Sequence, residues 1–326
     1  MKLASTKILG ISVTASPKDE IVEHVRKYLE LSNYPIIQLS NKNRKPLVIV
    51  TPNPEQIIAA QTDKHFAEIL NGADVAIPDG IGLVAALRFL GKDVGHKTQD
   101  IGLQRIPGVE FMEDLVAMAA AKGWPVALIG GRDGVAQEAL GQLKIKYPGL
   151  VGWAEEPEEM PILPMSNATP AKRDPRCCNP INIGNSSGTI LKYYQYTKDI
   201  IEKIRKTRIC IVFVGLGAPK QEFFIEQLAH ILSFRPLSRN PEKKEWIPGQ
   251  ARDDRKSIVF MSVGGSFDII AGRVPRAPHF FRSLGLEWLW RLVIEPWRFG
   301  RQLRLLQFLW LVLGKKLASS SQTWRS

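Results

Sequence analysis

Cysteine is scarce in this chain. Cys177, Cys178 and Cys210 are the only three in 326 residues. An odd total with two neighbours side by side is neither a disulfide framework nor metal-ligand spacing. A reducing, cytosolic compartment is the simpler reading. Long apolar runs are missing as well. The densest, from Leu305 to Leu313, falls well short of the ~20 residues a bilayer crossing requires. The opening stretch M-K-L-A-S-T-K-I-L-G-I-S-V has too little apolar length for a signal peptide. Neither G-x-G-x-x-G nor the Lys-Ser/Thr of a P-loop follows a strand pattern, so a dehydrogenase or an NTPase is poorly supported. Acidic residues are in deficit, 32 Asp and Glu against 44 Lys and Arg, for a net charge of +12. That balance favours an anionic partner: nucleic acid, anionic lipid or a phosphorylated substrate. Zinc-finger spacing and RNP-type aromatics are lacking, which weakens the nucleic-acid reading, and much of the positive charge sits after Arg273.

What is present is an ordinary globular composition, 44% hydrophobic and 23% charged, with length enough for a large α/β core. Short apolar runs alternate with helical periodicity. Lys7–Val13 reads as a strand. Ser16 and Pro17 read as a helix cap and first helical residue, opening a helix through about Leu31. Leu47–Val50 reads as a strand that stops at Thr51-Pro52-Asn53-Pro54, before a helix over Glu55–Leu70. Val75–Ile77 stops at Pro78-Asp79-Gly80, and an apolar helix over Ile81–Leu90 begins at once. Further strand–turn–helix units end in Gly130-Gly131-Arg132-Asp133-Gly134, in Gly215-Leu216-Gly217-Ala218-Pro219-Lys220-Gln221-Glu222, and in Gly264-Gly265-Ser266-Phe267-Asp268. Such units place side chains at the carboxyl ends of a parallel sheet and amides at helix starts that suit phosphate.

From the residues alone, several positions carry two readings. Thr51 and Asn53 either punctuate a strand and cap a helix or reach a sugar or phosphate. Asp79 is either a turn and cap residue or a base held at a strand end. Arg105 either binds diphosphate or makes a loop salt bridge. Gly130 and Gly131 form either a tight turn or part of a nucleotide site. Lys220 and Gln221 either open a helix or meet a ligand. Gly264 and Gly265 permit close backbone approach, and Asp268 either contacts uracil or ribose or caps the next helix. Two segments break the pattern, near 155–188 and 233–256. Both are Pro-rich or charged without period, and Asp253-Asp254 in the second has no apolar frame to fix a metal. No metal or other cofactor is expected. After Arg273 the chain becomes basic and bulky, with Trp288, Trp290 and Arg291, then Arg298, Arg301 and Arg304 at every third position before Leu305–Leu313 and Lys315-Lys316. A surface-lying helix with a basic rim fits this better than a span. A core-packing or dimer helix is the alternative, and a homo-oligomer stays open.

The blocks T-P-N-P-E-Q, P-D-G-I-G, V-G-L-G-A-P-K-Q-E, V-G-G-S-F-D and R-A-P…G-L-E-W-L-W-R-L…E-P-W-R together resemble the WecG/TagA/CpsF glycosyltransferases, in family order from about Leu47 to Arg304. The resemblance implies an inverting transfer of an N-acetylmannosamine-type sugar, or glucose, from UDP to an undecaprenyl-diphosphate-linked acceptor in surface polysaccharide or wall polymer assembly. It implies Thr51 as an active-site residue and Asp79 as general base, with Gly80 close to the ligand. Asn53, Arg105, Lys220 and Gln221 then hold reactants. Arg291, Arg298 and Arg301 are the nearest match to the family's tail arginines at the donor diphosphate. The expected fold is a Rossmann-like α/β domain, mostly parallel and flanked by helices, over 1–272, with a helical membrane-proximal appendage over 273–326. The enzyme would lie on the inner face of the cell membrane, against an anionic surface. Two other classes stay open: a non-catalytic membrane-associated nucleotide-sugar-binding protein, and a basic nucleic-acid-binding protein.

Overall fold

The structure, a computed structural model, describes residues 2–31, 45–91, 103–157, 187–233, 257–283, 286–294 and 299–323. Most of both patternless segments therefore lies outside the described residues. The first departure from expectation is at the amino end. Lys7–Val13 is not one strand but two, β1 (Ser5–Ile8) and β2 (Ile11–Thr14), paired antiparallel around Leu9-Gly10. Leu9 and Gly10 both have positive φ, 46° and 83°, which turns the chain back on itself with the twist a two-residue hairpin needs. The helix α1 (Lys18–Glu30) follows, with Pro17 at its cap position. Ser16 does not cap it. Its hydroxyl accepts from the Ala4 amide instead, at 3.0 Å.

The central sheet has six strands, all parallel: β3 (Leu47–Val50), β4 (Val75–Ala76), β5 (Val126–Gly130), β6 (Gly152–Glu155), β7 (Ile211–Gly215) and β8 (Val259–Ser262), in the order β4-β3-β8-β7-β5-β6. This is the expected α/β architecture. Side chains alternate between its faces, as strand geometry dictates. Ile49, Leu128, Phe213 and Met261 face one core, shared with α1, α5 (Gly108–Lys122) and α6 (Val135–Lys146). Ala127, Ile129, Val212, Val214 and Phe260 face another, under α7 (Ser187–Lys206) and α8 (Lys220–Ser233). The central strands are thus covered on both sides, and their near-continuous apolar runs follow from that.

The segment expected as one helix over Glu55–Leu70 is two, α2 (Pro54–Thr62) and α3 (Lys64–Gly72). Asp63 divides them. Its backbone is extended and its carboxylate accepts from the Phe66 amide, so a residue read as mid-helix serves as the cap of a new one. The apolar helix α4 (Ile81–Gly91) and the hairpin pack with α2 and α3 into a third core. After the short helices α9 (Ser266–Ile270), α10 (His279–Ser283) and α11 (Glu287–Ile294), the chain ends its described part in α12 (Phe299–Thr323). Phe308 and Val312 of α12 are buried in that third core.

Alanine at a fully buried aromatic removes its transfer free energy and leaves a cavity, at a cost of about 3–5 kcal/mol. Phe308→Ala should lose stability of this order in urea unfolding. Leu306→Ala, two residues away but exposed, should change it by less than about 0.5 kcal/mol.

Candidate active site

The carboxyl ends of β3, β4, β7 and β8 share one edge of the sheet, because every strand runs the same way. The pairing of β3 with β4 continues beyond the strands themselves. Ile77 N–H donates to Val50 O at 2.8 Å, and Asp79 N–H donates to Pro52 O at 3.1 Å. Thr51-Pro52 and Pro78-Asp79 therefore run alongside each other. A Cβ added at Gly108, the first residue of α5, would stand 3.4 Å from Thr51 Cγ2 and 3.8 Å from Asp79 Oδ2. Both predicted residues thus meet at the start of α5, an end that carries partial positive charge. Asp79 is half-buried and Thr51 buried. Gly80 has φ +103°, a backbone state open to glycine and strained for other residues.

The next loop joins the same edge. Ile106 N–H donates to Pro78 O at 3.2 Å, which fixes Arg105 beside the Asp79 turn. The Arg105 guanidinium pairs with the Glu287 carboxylate at the start of α11, and both side chains are largely buried. Arg105 Nε has no partner among the described residues. Asn53 caps α2, its side-chain oxygen accepting from Gln56 N–H at 2.9 Å. Its amide nitrogen is not used in that cap.

Behind Thr51 lies a buried polar group. Thr51 Oγ1 contacts Ser262 O at 3.4 Å. Gln221 Oε1 accepts from Gly264 N–H at 3.0 Å, and Gln221 Nε2 donates to Glu222 Oε1 at 2.8 Å. Gln56 Nε2 donates to the same Glu222 oxygen at 3.3 Å. Burial pushes the Glu222 carboxyl up to about 7, against smaller opposing effects from Gln221, its own backbone amide and the nearby Ser262 hydroxyl. Glu222 Oε2, Gln56 Oε1 and Ser262 Oγ have no complete hydrogen bond.

The remaining predicted residues are placed as follows. Lys220 opens α8 and is half-exposed. Gly265 precedes α9 and Asp268 sits in its first turn, without a side-chain cap bond at that helix. At Gly130 a Cβ would come within 2.6 Å of Gly215 O, and at Gly131 within 2.1 Å of Val135. These two glycines therefore have a packing requirement of their own. The amides at the start of α6 are taken by the chain itself: Gly134 N–H and Ala136 N–H donate to the two carboxylate oxygens of Glu156, both at 2.9 Å. Arg298 and the side chains of Arg291 and Arg301 lie outside the described residues. Sequence reasoning missed Gln56, Ser262, Glu156 and Glu287. Nor does the sequence show that Glu222 is fully buried. Glu110, in the first turn of α5, pairs with Arg276 and lies near Arg282.

The profile of the glycosyl transferase WecG/TagA/CpsF family matches residues 6–161, 178–237 and 240–322. The chain belongs to this family and is a glycosyltransferase. N-acetylglucosaminyldiphosphoundecaprenol N-acetyl-beta-D-mannosaminyltransferases of Staphylococcus aureus, from strain COL and strain NCTC 8325 / PS 47 among others, are 26% identical to it over 298 residues. That match takes in 91% of this chain and 88% of each relative.

The Glu222 carboxyl gives a pH dependence with a definite sign. Its folded value is raised above the ordinary 4.5 to about 7. The stability associated with the neutral acid is complete below the unfolded value and is lost as pH rises through the folded one, a total of ~3 kcal/mol. Glu222→Gln, which cannot ionise, should gain on the wild type by about that much between about pH 4 and about pH 8 in urea titrations. A constant difference across that range would show that the Glu222 carboxyl titrates alike in the folded and unfolded states.

Proposed function

We propose that this enzyme transfers N-acetylmannosamine, with glucose as the alternative donor sugar, from UDP to an undecaprenyl-diphosphate-linked acceptor, with inversion at C1. The observation that supports this reading most directly is Thr51 and Asp79 side by side on paired strand ends, at the start of α5. The relatives are named for an undecaprenol-diphosphate-linked acceptor, and that part of the reading rests on them. The place of such a reaction is surface polysaccharide or wall polymer assembly.

In the proposed mechanism Asp79 takes the proton of an acceptor hydroxyl as that oxygen attacks C1 of the donor. The new C1–O bond forms on the face opposite the departing diphosphate, the C1–O(phosphate) bond breaks, and UDP leaves with the electron pair. Thr51 positions the reactants, with Asn53 Nδ2 as a further donor. Arg105, fixed beside the Asp79 turn, offers a guanidinium for the charge that develops on the diphosphate. Lys220, the Gly264-Gly265 turn and Asp268 hold the donor from the β7 and β8 ends, and the buried Gln221, which accepts from Gly264 N–H, acts on the donor through that turn. Arg291, Arg298 and Arg301 add cations from the tail.

A lipid acceptor also requires a way to reach Asp79. No helix among the described residues is long and apolar enough to cross a membrane. However, α12 exposes Leu303, Leu306, Trp310, Leu313 and Leu317, and Trp310 is 72% exposed. These residues recur at three- and four-residue steps and so share one face. The opposite face packs inward, and Leu305 lies 3.5 Å from the Cβ position of Gly82, three residues after Asp79. Arg304 and Lys315 are exposed on the same helix. We read α12 as lying in the interface of an anionic membrane, its inner face against the helix that follows the catalytic turn.

UDP release from UDP-N-acetylmannosamine with a lipid-diphosphate N-acetylglucosamine acceptor should be seen for the wild type. Asp79→Asn should lower it by about 10²–10⁴-fold; equal turnover by both would remove Asp79 from the role of base. Leu306→Ser with Trp310→Ser should abolish most co-sedimentation with anionic vesicles while leaving the fold intact by circular dichroism. Undiminished binding by that double variant would rule out the α12 face as the contact.

A further inference from the structure

Glu222 has no part in the mechanism above, yet it is the most deeply buried carboxyl group described at the site edge, 0% exposed. It stands where three site-bearing elements meet. From its own helix, Gln221 donates to Oε1; from α2, Gln56 donates to the same oxygen; from β8, the Ser262 hydroxyl approaches the carboxyl. Gln56 and Gln221 are themselves buried. Among the described residues, none of the groups acting on the carboxyl carries a charge.

The hydrogen-bond accounting is specific. Oε1 receives two amide donors, while Glu222 Oε2, Gln56 Oε1 and Ser262 Oγ are left over. With Glu222 a carboxylate, the unpartnered atoms of this group are two acceptors, Glu222 Oε2 and Gln56 Oε1, against the single proton of the Ser262 hydroxyl. Each buried polar atom left unpaired is costly. A proton on Oε2 changes the count. The acid then donates once and the Ser262 hydroxyl once, and the surplus of acceptors is removed.

The partners lead directly to the proposed reacting groups. Gln221 uses its oxygen to hold Gly264 N–H, at the turn where Gly264, Gly265 and Asp268 would meet the donor. Gln56 follows Asn53, which accepts from its amide. Ser262 O is in contact with Thr51. We propose that Glu222 is a positioning residue for the transfer reaction: as a neutral carboxylic acid it joins Gln221 to Gln56, and so fixes the donor-side turn after β8 against the strand ends that carry Thr51 and Asp79. This rests on the glycosyl-transfer reading for its consequence in catalysis. Its structural content, a neutral acid that immobilises the Gly264 turn, is independent of any substrate.

Glutamine is the informative replacement. Its oxygen can accept the two amide donors, and its NH₂ brings two protons to a position where the carboxylate has none. Alanine removes the junction. The experiment compares wild type, Glu222→Gln and Glu222→Ala, each checked for folding by circular dichroism and thermal melting. UDP release is measured against donor concentration from about pH 6 to about pH 8.5, a range that brackets neutrality. Amide exchange is followed in the segment 259–270. Glu222→Ala should raise the donor KM about tenfold or more with a smaller change in kcat, since it loosens the donor-side turn and spares the base. Exchange at the Gly264 turn should quicken about tenfold or more beyond the wild type. Glu222→Gln should restore both to within about threefold of the wild type at low pH. The wild-type donor KM should climb as pH rises through neutrality, and that of Glu222→Gln should not.

Glu222→Gln behaving like Glu222→Ala would overturn the proposal, as would identical pH profiles for wild type and Glu222→Gln. If no donor is turned over by the wild type, the glycosyl-transfer reading fails by itself. The exchange data then decide the role of Glu222 alone: faster exchange in the alanine variant with recovery by glutamine upholds it, and equal exchange in all three proteins ends it.

Discussion

The constraint on which the structure depends is the common direction of its six strands. Parallel strands need crossover connections, and here these place helices on both faces, so the faces of the sheet are covered while every carboxyl end emerges at one edge. Backbone groups that run past the last ladder bond at that edge cannot be left unpaired. The chain meets this demand in two ways. Between β3 and β4 it prolongs the pairing, with Ile77 to Val50 and Asp79 to Pro52. Between β7 and β8 it uses side chains, with Gln221 accepting from Gly264 N–H and Ser266 Oγ donating to Val263 O. The first solution aligns Thr51 with Asp79. The second brings a carboxyl group, that of Glu222, into a fully buried place. Both kinds of candidate residue are thus by-products of closing the same sheet edge.

The fold was legible in the sequence where local rules decide it. Leu47–Val50 ends at a Pro-Asn-Pro turn, and Val135–Lys146 has apolar residues at helical spacing; the structure has elements at these very places. Other elements were misread where a single residue changes the outcome. Gly10 takes a positive φ and divides one apparent strand into a hairpin outside the sheet. Asp63 lies in a stretch with helical periodicity on both sides, and only its extended backbone and its bond to Phe66 N–H reveal two helices. Periodicity counts residues of one face and is blind to such a break.

At the site, the strand-end residues were legible because turn chemistry marks them. Their partners were not, since those come from distant sequence. Arg105 finds Glu287 across 182 positions, and Gln56 finds Glu222 across 166. A glutamate in the first turn of a helix reads as a favourable interaction with the helix dipole, and Glu222 has that position. What makes it unusual is the direction of its side chain, which follows from the packing of α8 on the sheet. The same applies to Glu156. The Gly-rich turn before α6 suggested a place for phosphate, but a carboxylate arriving from the end of β6 accepts from those amides. Helix-start amides need an anion, and the sequence does not tell whether that anion belongs to a ligand or to the chain.

The terminal helix sharpens this distinction between what a pattern says and what packing decides. A globular helix with one buried face should be polar on the other. In α12 the inner row, Leu305, Phe308 and Val312, meets α2 and α4, yet the outer row of Leu303, Leu306, Trp310, Leu313 and Leu317 is apolar too. Moderate hydrophobicity all round ordinarily signals a helix enclosed by protein, but here one side faces outward. Lys316 shows how the inner edge is closed: its ammonium donates to Phe89 O and lies over the Phe89 ring, covering apolar surface with its stem. Among the described residues no such basic stem screens Trp310, which is 72% exposed. A row of this length left in water works against solubility, and so calls for a partner able to take it without displacing the inner row. An interface of lipid headgroups and acyl chains meets that condition, because it binds one face of a helix and leaves the other in its protein contacts. On the proposed reading the same helix would touch lipid on one side, while Leu305 at Gly82 meets the start of α4 on the other. Since α4 begins two residues after Asp79, the membrane plane and the candidate base would be held a fixed distance apart by a single rigid element.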